Sequence, residues 1–274
     1  MAIIHRTPDS FFDRGATFDD EAARQAVHRA VAEGADVIDV GGVKAGPGAG
    51  VDADTEIARL VPFVEWLRDA YPDQLISIDT WRAEVARPAC AAGADLINDT
   101  WAGVDPGLVE VAAEFGAGVV CSHTGGAAPR TRPFRVSYGT TTRGVVDDVI
   151  RQVTVAAERA VAVGVARDRV LVDPTHDFGK NSFHGLILLR HVADLVGAGW
   201  PVLMALSNKD FVGETLGVDV SERLEGTLAA TALAAAAGAR MFRVHQVAAT
   251  RRVLEMVAAI QGVRAPARTV RGLA

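Results

Sequence analysis

Short apolar runs recur eight times along the chain, and each is followed by a loop and a helical pattern. The runs are continuous rather than alternating in polarity, which is typical of strands buried on both faces of a parallel sheet. Eight such units predict one closed (β/α)8 TIM barrel, with a doubly wound open sheet as the alternative. In order, the runs are AII (2–4), ADVIDV (35–40), LISI (75–78), ADLI (94–97), AGVVC (117–121), RVLV (169–172), PVLMAL (201–206) and RMFRV (240–244).

The segments between these runs carry helical patterns, such as FDDEAARQAVHRAVAEG (18–34) and TRGVVDDVIRQVTVAAERAVAVG (142–164). Several of them end on a glycine just before the next strand, where a left-handed residue commonly closes a helix. These glycines are Gly34, Gly93, Gly116, Gly164 and Gly238. No Pro/Ser-rich linker interrupts the 274 residues, so we expect a single domain spanning 1–274. The segment GPGAG (46–50) lacks the GxGxxG spacing, so a dinucleotide site is not expected.

Bulk composition excludes several classes of function. The net charge of −6 and the pI near 5.6 argue against a nucleic-acid partner. No apolar run approaches the roughly 20 residues that a membrane span requires. The N-terminus MAIIHRTPDS lacks the features of a signal peptide, and two cysteines cannot build a disulfide framework. A cytoplasmic setting is therefore expected.

Polar residues stand where each predicted strand ends. In a TIM barrel the functional groups lie at the carboxyl ends of the strands, although polar residues there are often only a solvated rim. Asp79, Asn98 and Asp173 each follow apolar residues directly, so their side chains should point into the end of the barrel and form a ligand site. The full set is His5, Arg6, Asp39, Asp79, Asn98, Asp99, His123, Asp173, Lys209, Arg243 and His245.

The chemistry of this set falls into two halves. Asp79, Asn98 and Asp173 provide acceptors and an amide, which suit the N–H-rich edge of a planar heterocycle. A second group, formed by Lys209, Arg243 and His245, provides cationic donors that suit an anion such as a phosphate. The two halves together predict a phosphorylated or diphosphorylated heterocycle as the ligand.

Seven motifs occur in order along the chain: TPDSFFDRGATF (7–18), GADVIDVGG (34–42), ISIDTWRAEVA (76–86), LINDTWAG (96–103), DPTHDFGK (173–180), SNKDF (207–211) and RVHQV (243–247). Together they resemble the motifs of the dihydropteroate synthases, which are TIM barrels of this length. The resemblance implies condensation of 6-hydroxymethyl-7,8-dihydropterin diphosphate with p-aminobenzoate, which releases diphosphate and gives dihydropteroate.

The resemblance also implies a role for individual residues. Asp79, Asn98 and Asp173 would hold the pterin, with Lys209 and Arg243 along its ring. The diphosphate would bind Arg243 and His245 with the help of a magnesium ion. The p-aminobenzoate pocket would contain Phe178, Pro47 and Asp210. Catalysis would involve Asp79, Lys209 and Asp13, and Asp13 would lie with Phe11 on a mobile first loop.

Departures from the family pattern cluster at one end of the implied site. His5 stands where the family has an asparagine that contacts magnesium, and magnesium strongly prefers oxygen ligands. The second loop reads GGVKAGPGA rather than GGESTRPGA, so Val43, Lys44, Ala45 and Gly46 replace Glu, Ser, Thr and Arg. Two further motifs read DPTHDFGK for DPGIGFGK and SNKDF for SRKSF, and Thr124 replaces a pterin-contacting methionine.

The departures favour a paralogue that keeps the pterin site and has weak or no synthase activity. A working dihydropteroate synthase with drifted loops is the alternative. A metal-dependent hydrolase built from His5, His123, His176 and His245 is less favoured, as is a non-catalytic binding or scaffold protein.

Two further expectations concern Asp210 and the oligomeric state. Asp210 replaces a family serine, and we predict that it acts as a helix N-cap whose charge repels p-aminobenzoate. The alanine-rich segment TLAATALAAAAGARM (227–241) allows close helix contact and predicts a homodimer, as the resemblance does. Tight packing of this segment onto the barrel alone is the other interpretation.

Overall fold

Eight parallel strands form a closed barrel in the computed structural model, which describes residues 1–7, 17, 19–131 and 136–271. Strands β1 to β6 pair in chain order, and β7 pairs with β8. Bridges from Ala2 to Val244 and from Val172 to Val202 join the two groups, so the barrel prediction is confirmed. The strands are β1 Ala2–His5, β2 Val37–Gly41, β3 Leu75–Asp79, β4 Leu96–Asp99, β5 Gly118–Ser122, β6 Val170–Asp173, β7 Leu203–Met204 and β8 Met241–Phe242.

Helices cover the outside of the barrel and connect successive strands. Short 3-10 turns at Arg167–Arg169 and Val220–Glu222 complete the connections. None of the helices in the described part of the chain is long and apolar enough to cross a membrane. The helices are α1 Asp20–Ala32, α2 Ala53–Ala70, α3 Ala83–Ala91, α4 Leu108–Phe115, α5 Gly144–Ala162, α6 Ser182–Arg190, α7 Val192–Gly197, α8 Asp210–Leu216, α9 Leu224–Ala236 and α10 Val247–Ile260.

The five glycines predicted to close helices all adopt positive φ, between 62° and 113°. An L-residue avoids this region because its Cβ crowds the backbone, whereas glycine enters it freely. Each glycine lets the chain leave its helix and turn directly into the next strand. The prediction of left-handed helix ends is therefore confirmed.

The predicted seventh strand is longer than the observed one. Regular pairing ends at Met204, although Leu206 is still buried. The chain turns because Asn208 adopts a left-handed φ of 55° and the Lys209 N–H donates to the Leu206 carbonyl at 3.4 Å. The turn brings Lys209 to the N-terminus of α8, directly at the end of the barrel.

Two apolar clusters hold the barrel together, one outside the strands and one inside. The outer cluster packs strand residues such as Ile38 and Ile78 against helix residues such as Leu60. The inner cluster contains Val37, Leu96 and Leu203, among others. Because side chains alternate along a strand, the residue two positions further on faces the same interior. The inner cluster therefore fixes which residues point inward at the carboxyl ends.

Candidate functional site

Polar side chains replace the inner apolar cluster at the carboxyl ends of the strands, which we call the barrel mouth. Val37 is followed two residues later by Asp39, and Leu96 by Asn98. The same spacing leads from Leu171 to Asp173 and from Met241 to Arg243. Alternation along four strands thus builds a polar layer directly above an apolar floor.

Asp39 lies at the centre of this layer and is fully buried. Its carboxylate accepts from the Arg243 Nε at 2.6 Å and from the Ser77 hydroxyl at 2.5 Å. The Asn98 amide donates to the same carboxylate at 3.4 Å. A buried carboxylate needs such partners because burial removes its hydration. Asp39 therefore orients Arg243 and Asn98 for whatever ligand enters the mouth.

Asp79 lies beside Asn98, its partner in the register between β3 and β4. Its carboxylate accepts from the Arg243 Nη2 at 2.7 Å and from the Thr100 hydroxyl at 2.8 Å. Burial raises the pKa of Asp79 to about 6, although the nearby Arg243 guanidinium opposes the rise. A carboxylate with this pKa is ionised at neutral pH and can accept an N–H from a ligand.

Asp173 ends β6 and opens a loop with unusual backbone geometry. Its carboxylate accepts from the Thr175 N–H at 2.7 Å, and burial raises its pKa while Lys209 opposes the rise. Thr175 and Asp177 adopt left-handed φ angles of 51° and 69°. The resemblance aligns both positions with glycines, so this chain keeps a glycine-like backbone path while adding two side chains.

Lys180 lies beneath this loop and is only 1% exposed. Its ammonium donates to the carbonyls of His123, Thr175 and Phe178 at 2.8, 3.1 and 2.8 Å. Burial holds the pKa of Lys180 well below its ordinary value. The lysine therefore ties the end of β5 to the β6–α6 loop and fixes the position of Phe178.

Lys209 contacts the aromatic side of the mouth. The Lys209 ammonium lies 4.7 Å from the Phe178 ring centroid and donates to the His176 carbonyl. Phe178 also packs edge-on against Trp101, with ring centroids 5.1 Å apart. Lys209 thus joins the acidic residues of the pterin half to an aromatic wall.

The prediction that Asp210 acts as the N-cap of its helix is wrong. The N-cap of α8 is Lys209, and Asp210 is the first helical residue. Its N–H donates to the Asp177 carboxylate at 2.6 Å, so the capping group comes from the β6–α6 loop. The Asp210 side chain is 77% exposed and accepts from Arg223 at 2.9 Å. Sequence reasoning assigned the cap to Asp210 because it could not place Asp177 beside it.

His5 ends β1, and His245 follows β8, the strand beside it. The His245 Nδ1 is 2.9 Å from the Ser207 hydroxyl, and its ring centroid is 6.1 Å from that of His5. Burial, His5 and Arg243 together hold the pKa of His245 well below its ordinary value. A neutral imidazole contributes no full charge to diphosphate binding, so Arg243 and Lys209 are the cations that remain from the predicted set.

The four histidines proposed for a hydrolase are engaged in different environments. His123 pairs with Asp148 at 2.9 Å, while His176 packs against Phe211 with ring centroids 5.3 Å apart. Within the described ranges, no group of three or more His, Cys, Asp or Glu is placed to hold a metal ion. The imidazole of His5 supplies nitrogen where magnesium prefers oxygen, so these residues do not fit that ion.

The altered second loop, residues 43–50, is held by a residue from the far side of the mouth. Arg130 donates from its Nε to the Gly46 carbonyl at 3.3 Å and from its Nη1 to Ala49. Pro47 is exposed on this loop, and its place in a p-aminobenzoate pocket stays a prediction. Asp13 and Phe11 fall outside the residues that the structure describes.

The structure therefore brings together five predicted site residues: Asp79, Asn98, Asp173, Lys209 and Arg243. It adds Asp39, which the prediction named at a strand end but did not assign to the site. The sequence contained the information needed to assign Asp39 to the site, because Asp39 stands two residues after Val37, which faces the barrel interior. Asp177 was recognised only as a departure from the pattern. Its contact with α8 depends on a loop conformation that the sequence does not specify.

Comparison with known proteins agrees with this geometry. The model of the family described as pterin binding enzyme matches residues 1–245. The chain belongs to this family. A Mycobacterium tuberculosis protein named inactive dihydropteroate synthase 2 is 84% identical over 274 residues, covering 100% of this chain and 86% of the relative. The dihydropteroate synthase of Escherichia coli K12 is 36% identical over 260 residues, covering 94% and 90%.

A solved structure extends the agreement to the backbone. The dihydropteroate synthase of Coxiella burnetii, determined in complex with pteroic acid, superposes with a TM-score of 0.86 at 31% identity. The match covers 96% of this chain and 93% of that one. The predicted resemblance to the dihydropteroate synthases is therefore confirmed for the fold and the family.

Proposed function

We propose that this protein is a dihydropteroate synthase homologue that binds a pterin and has weak or no synthase activity. The observation that carries the proposal is the polar layer of the barrel mouth, in which Arg243 bridges Asp39 and Asp79 beside Asn98. Buried carboxylate and amide groups of this kind match the donors and acceptors along one edge of a pterin ring. The pteroic acid complex of the Coxiella relative supports the same ligand class.

The loss of synthase activity rests on the other half of the mouth. The diphosphate half keeps Arg243, whose Nε and Nη2 already donate to two carboxylates, and a histidine with a depressed pKa. The residues do not fit magnesium, and Gly46 replaces the arginine of the family pattern. A departing diphosphate needs fixed positive charge as its own charge develops, and little of it is left here. The name of the Mycobacterium tuberculosis relative supports this proposal.

The proposal is tested by two measurements on the same preparation. Calorimetry with 6-hydroxymethylpterin should show binding to one site per chain. A turnover assay with the pterin diphosphate and p-aminobenzoate should give no dihydropteroate, or form it far more slowly than the Escherichia coli enzyme does. Pterin binding together with turnover comparable to the Escherichia coli enzyme would establish the alternative, a working synthase. Absence of pterin binding would overturn the proposal altogether.

We also propose that two chains associate through α9 and α10, with the outer face of α9 rather than its buried small face as the contact. The small face of α9 is buried within the chain at Thr227, Ala230 and Ala234. On the outer surface of α9 and α10, Leu233 is 67% exposed and Ile260 is 72% exposed. Light scattering at micromolar concentration should give a dimer, and a monomer would remove this part of the proposal. The cytoplasm stays the expected setting for two free, buried thiols.

A further inference from the structure

Asp177 carries a side chain where the backbone geometry favours glycine. Its φ of 69° lies in the left-handed region, which an L-residue enters at a cost in free energy. Asparagine and aspartate tolerate this region better than most residues, because their short side chains bond locally. The side chain of Asp177 instead reaches out of its loop to a different element.

The Asp177 carboxylate contacts the backbone at the start of α8, on the aromatic side of the mouth. It accepts from the Asp210 N–H at 2.6 Å. Burial raises the pKa of Asp177, while the Lys209 ammonium and the N–H groups of Asp210 and Phe211 oppose the rise. Its strongest opposite charge is the Lys209 ammonium, which lies over the Phe178 ring. Asp177 therefore brings a carboxylate from the β6–α6 loop to the N-terminus of α8, next to Lys209 in the chain.

The charge balance around Lys209 disfavours a further anion. The carboxylates of Asp177 and Asp173 both act on this lysine, and its ammonium already donates to the His176 carbonyl. An anion that approached the Phe178 ring would find the lysine already donating to the His176 carbonyl, with its charge offset by two nearby carboxylates. A neutral or cationic aromatic ligand would keep the contact with Phe178 and avoid the repulsion.

We propose that Asp177 is a specificity-determining residue that excludes anionic ligands from the region beside Phe178, so that this region takes a neutral or cationic aromatic ligand. The proposal names the class of second ligand for the site described under Proposed function and therefore rests on that function. It assigns the exclusion to Asp177 rather than to Asp210, whose exposed side chain is paired with Arg223.

Two substitutions separate the charge of Asp177 from its structural role. Asp177→Asn keeps an oxygen that can accept from the Asp210 N–H and tolerates positive φ, but it removes the charge. Asp177→Gly removes the whole side chain and suits the backbone conformation. The matched control is Asp210→Asn, which removes a neighbouring charge that lies in solvent.

The probes are p-aminobenzoate and p-aminobenzamide, which differ mainly in one negative charge. Ligand-observed NMR titrations would measure the affinity of both for the wild-type protein and the three variants. We expect Asp177→Asn to strengthen p-aminobenzoate binding about five- to tenfold and to change p-aminobenzamide binding less than twofold. Asp177→Gly should have at least the effect of Asp177→Asn, while Asp210→Asn should stay within twofold of wild type.

Three results would overturn the proposal. They are unchanged p-aminobenzoate affinity in both Asp177 variants, an equal gain for both probes, and no detectable p-aminobenzoate binding by any variant. An equal gain would show that the side chain blocks by its size rather than by its charge. The proposed function is tested separately, by measuring 6-hydroxymethylpterin binding to the wild-type protein, which does not involve the Asp177 variants.

Discussion

The two halves of the barrel mouth differ in what holds their residues in place. In the pterin half, Asp39, Asp79 and Asn98 extend directly from paired strands, and their registers fix their neighbours. In the other half, Asp177, Lys209 and the second loop are placed by turns beyond the strands. Apart from His5, which ends β1, the departures from the family pattern lie beyond the strands, in these turns, after β5 or at the start of α8. Loop residues can change at less cost to the fold than groups on paired strands.

The largest effect is expected on folding stability, from a substitution at Lys180 that would disturb both halves of the mouth. Lys180→Met should lower the free energy of unfolding by about 2–4 kcal/mol, because three buried carbonyls would lose their donor. Urea unfolding of the variant and of Lys44→Met, a loop lysine outside this network, would measure the difference. Equal stability of the two variants would show that the carbonyls find other partners.

Removing a strand-end carboxylate should damage the pterin half alone. Asp173→Ala is expected to weaken 6-hydroxymethylpterin binding by roughly 1.5–3 kcal/mol, the range for a hydrogen bond to a charged group. The control is Asp36→Ala, because Asp36 is 78% exposed near the opposite end of the barrel and pairs with Arg251. Calorimetry that gave the two variants equal affinity would mean that Asp173 does not contact the ligand.

Lowering the pH should weaken pterin binding through Asp79. Its pKa of about 6 lies above the ordinary value of 3.8, so the carboxylate becomes protonated as the pH falls through 6 and can no longer accept the ligand N–H. Affinity should be constant above pH 7 and fall up to tenfold per unit below 6, about 1.4 kcal/mol per unit. An affinity that stays flat down to pH 5 would contradict this role.

The contribution of Asp79 to folding stability should run in the opposite direction. A carboxyl whose pKa is raised on folding stabilises the folded state most below the unfolded pKa of 3.8. That stability is lost as the pH rises through about 6. Burial raises the pKa of Asp99 to about 6 as well, so the two groups act in the same window.

Returning the second loop to the family sequence should raise any residual synthase turnover and so test whether this half of the mouth limits activity. Ala45→Thr together with Gly46→Arg should raise turnover more than the sum of the single effects, because both residues would act on one closed state. Space is available, since a Cβ at Gly46 would meet only the Lys44 Cε, at 3.6 Å. Additive or absent effects in steady-state kinetics would count against the loop as the cause of the proposed loss of synthase activity.

The smallest effect is expected at Asp210. Its charge is exposed and paired with Arg223, and exposed ion pairs contribute little. Asp210→Ser should therefore change p-aminobenzoate affinity less than twofold. If Asp210→Ser strengthened p-aminobenzoate binding more than Asp177→Asn does, Asp210 would be the residue that excludes the anion, as predicted from the sequence.

The sequence predicted the pterin half well because periodicity carries the information. Apolar runs locate the strands, and alternation from Val37 or Leu96 tells which residue faces inward. The second half was less predictable because it depends on left-handed turns at Thr175, Asp177 and Asn208. Residues other than glycine give little sign of such turns. The capping contact between Asp177 and α8, which joins residues 33 positions apart, followed from neither pattern nor spacing.

One experiment compares how tightly the wild-type protein binds pteroic acid and 6-hydroxymethylpterin. Pteroic acid joins a pterin to p-aminobenzoate and would extend into both halves of the mouth, whereas 6-hydroxymethylpterin would occupy only the pterin half. Competitive calorimetry should show that pteroic acid binds no more tightly than the pterin alone, because the second half offers its carboxylate no gain. If pteroic acid bound tenfold or more tightly than 6-hydroxymethylpterin, the second half of the mouth would also bind its ligand, which would contradict the conclusion that only the pterin half is intact.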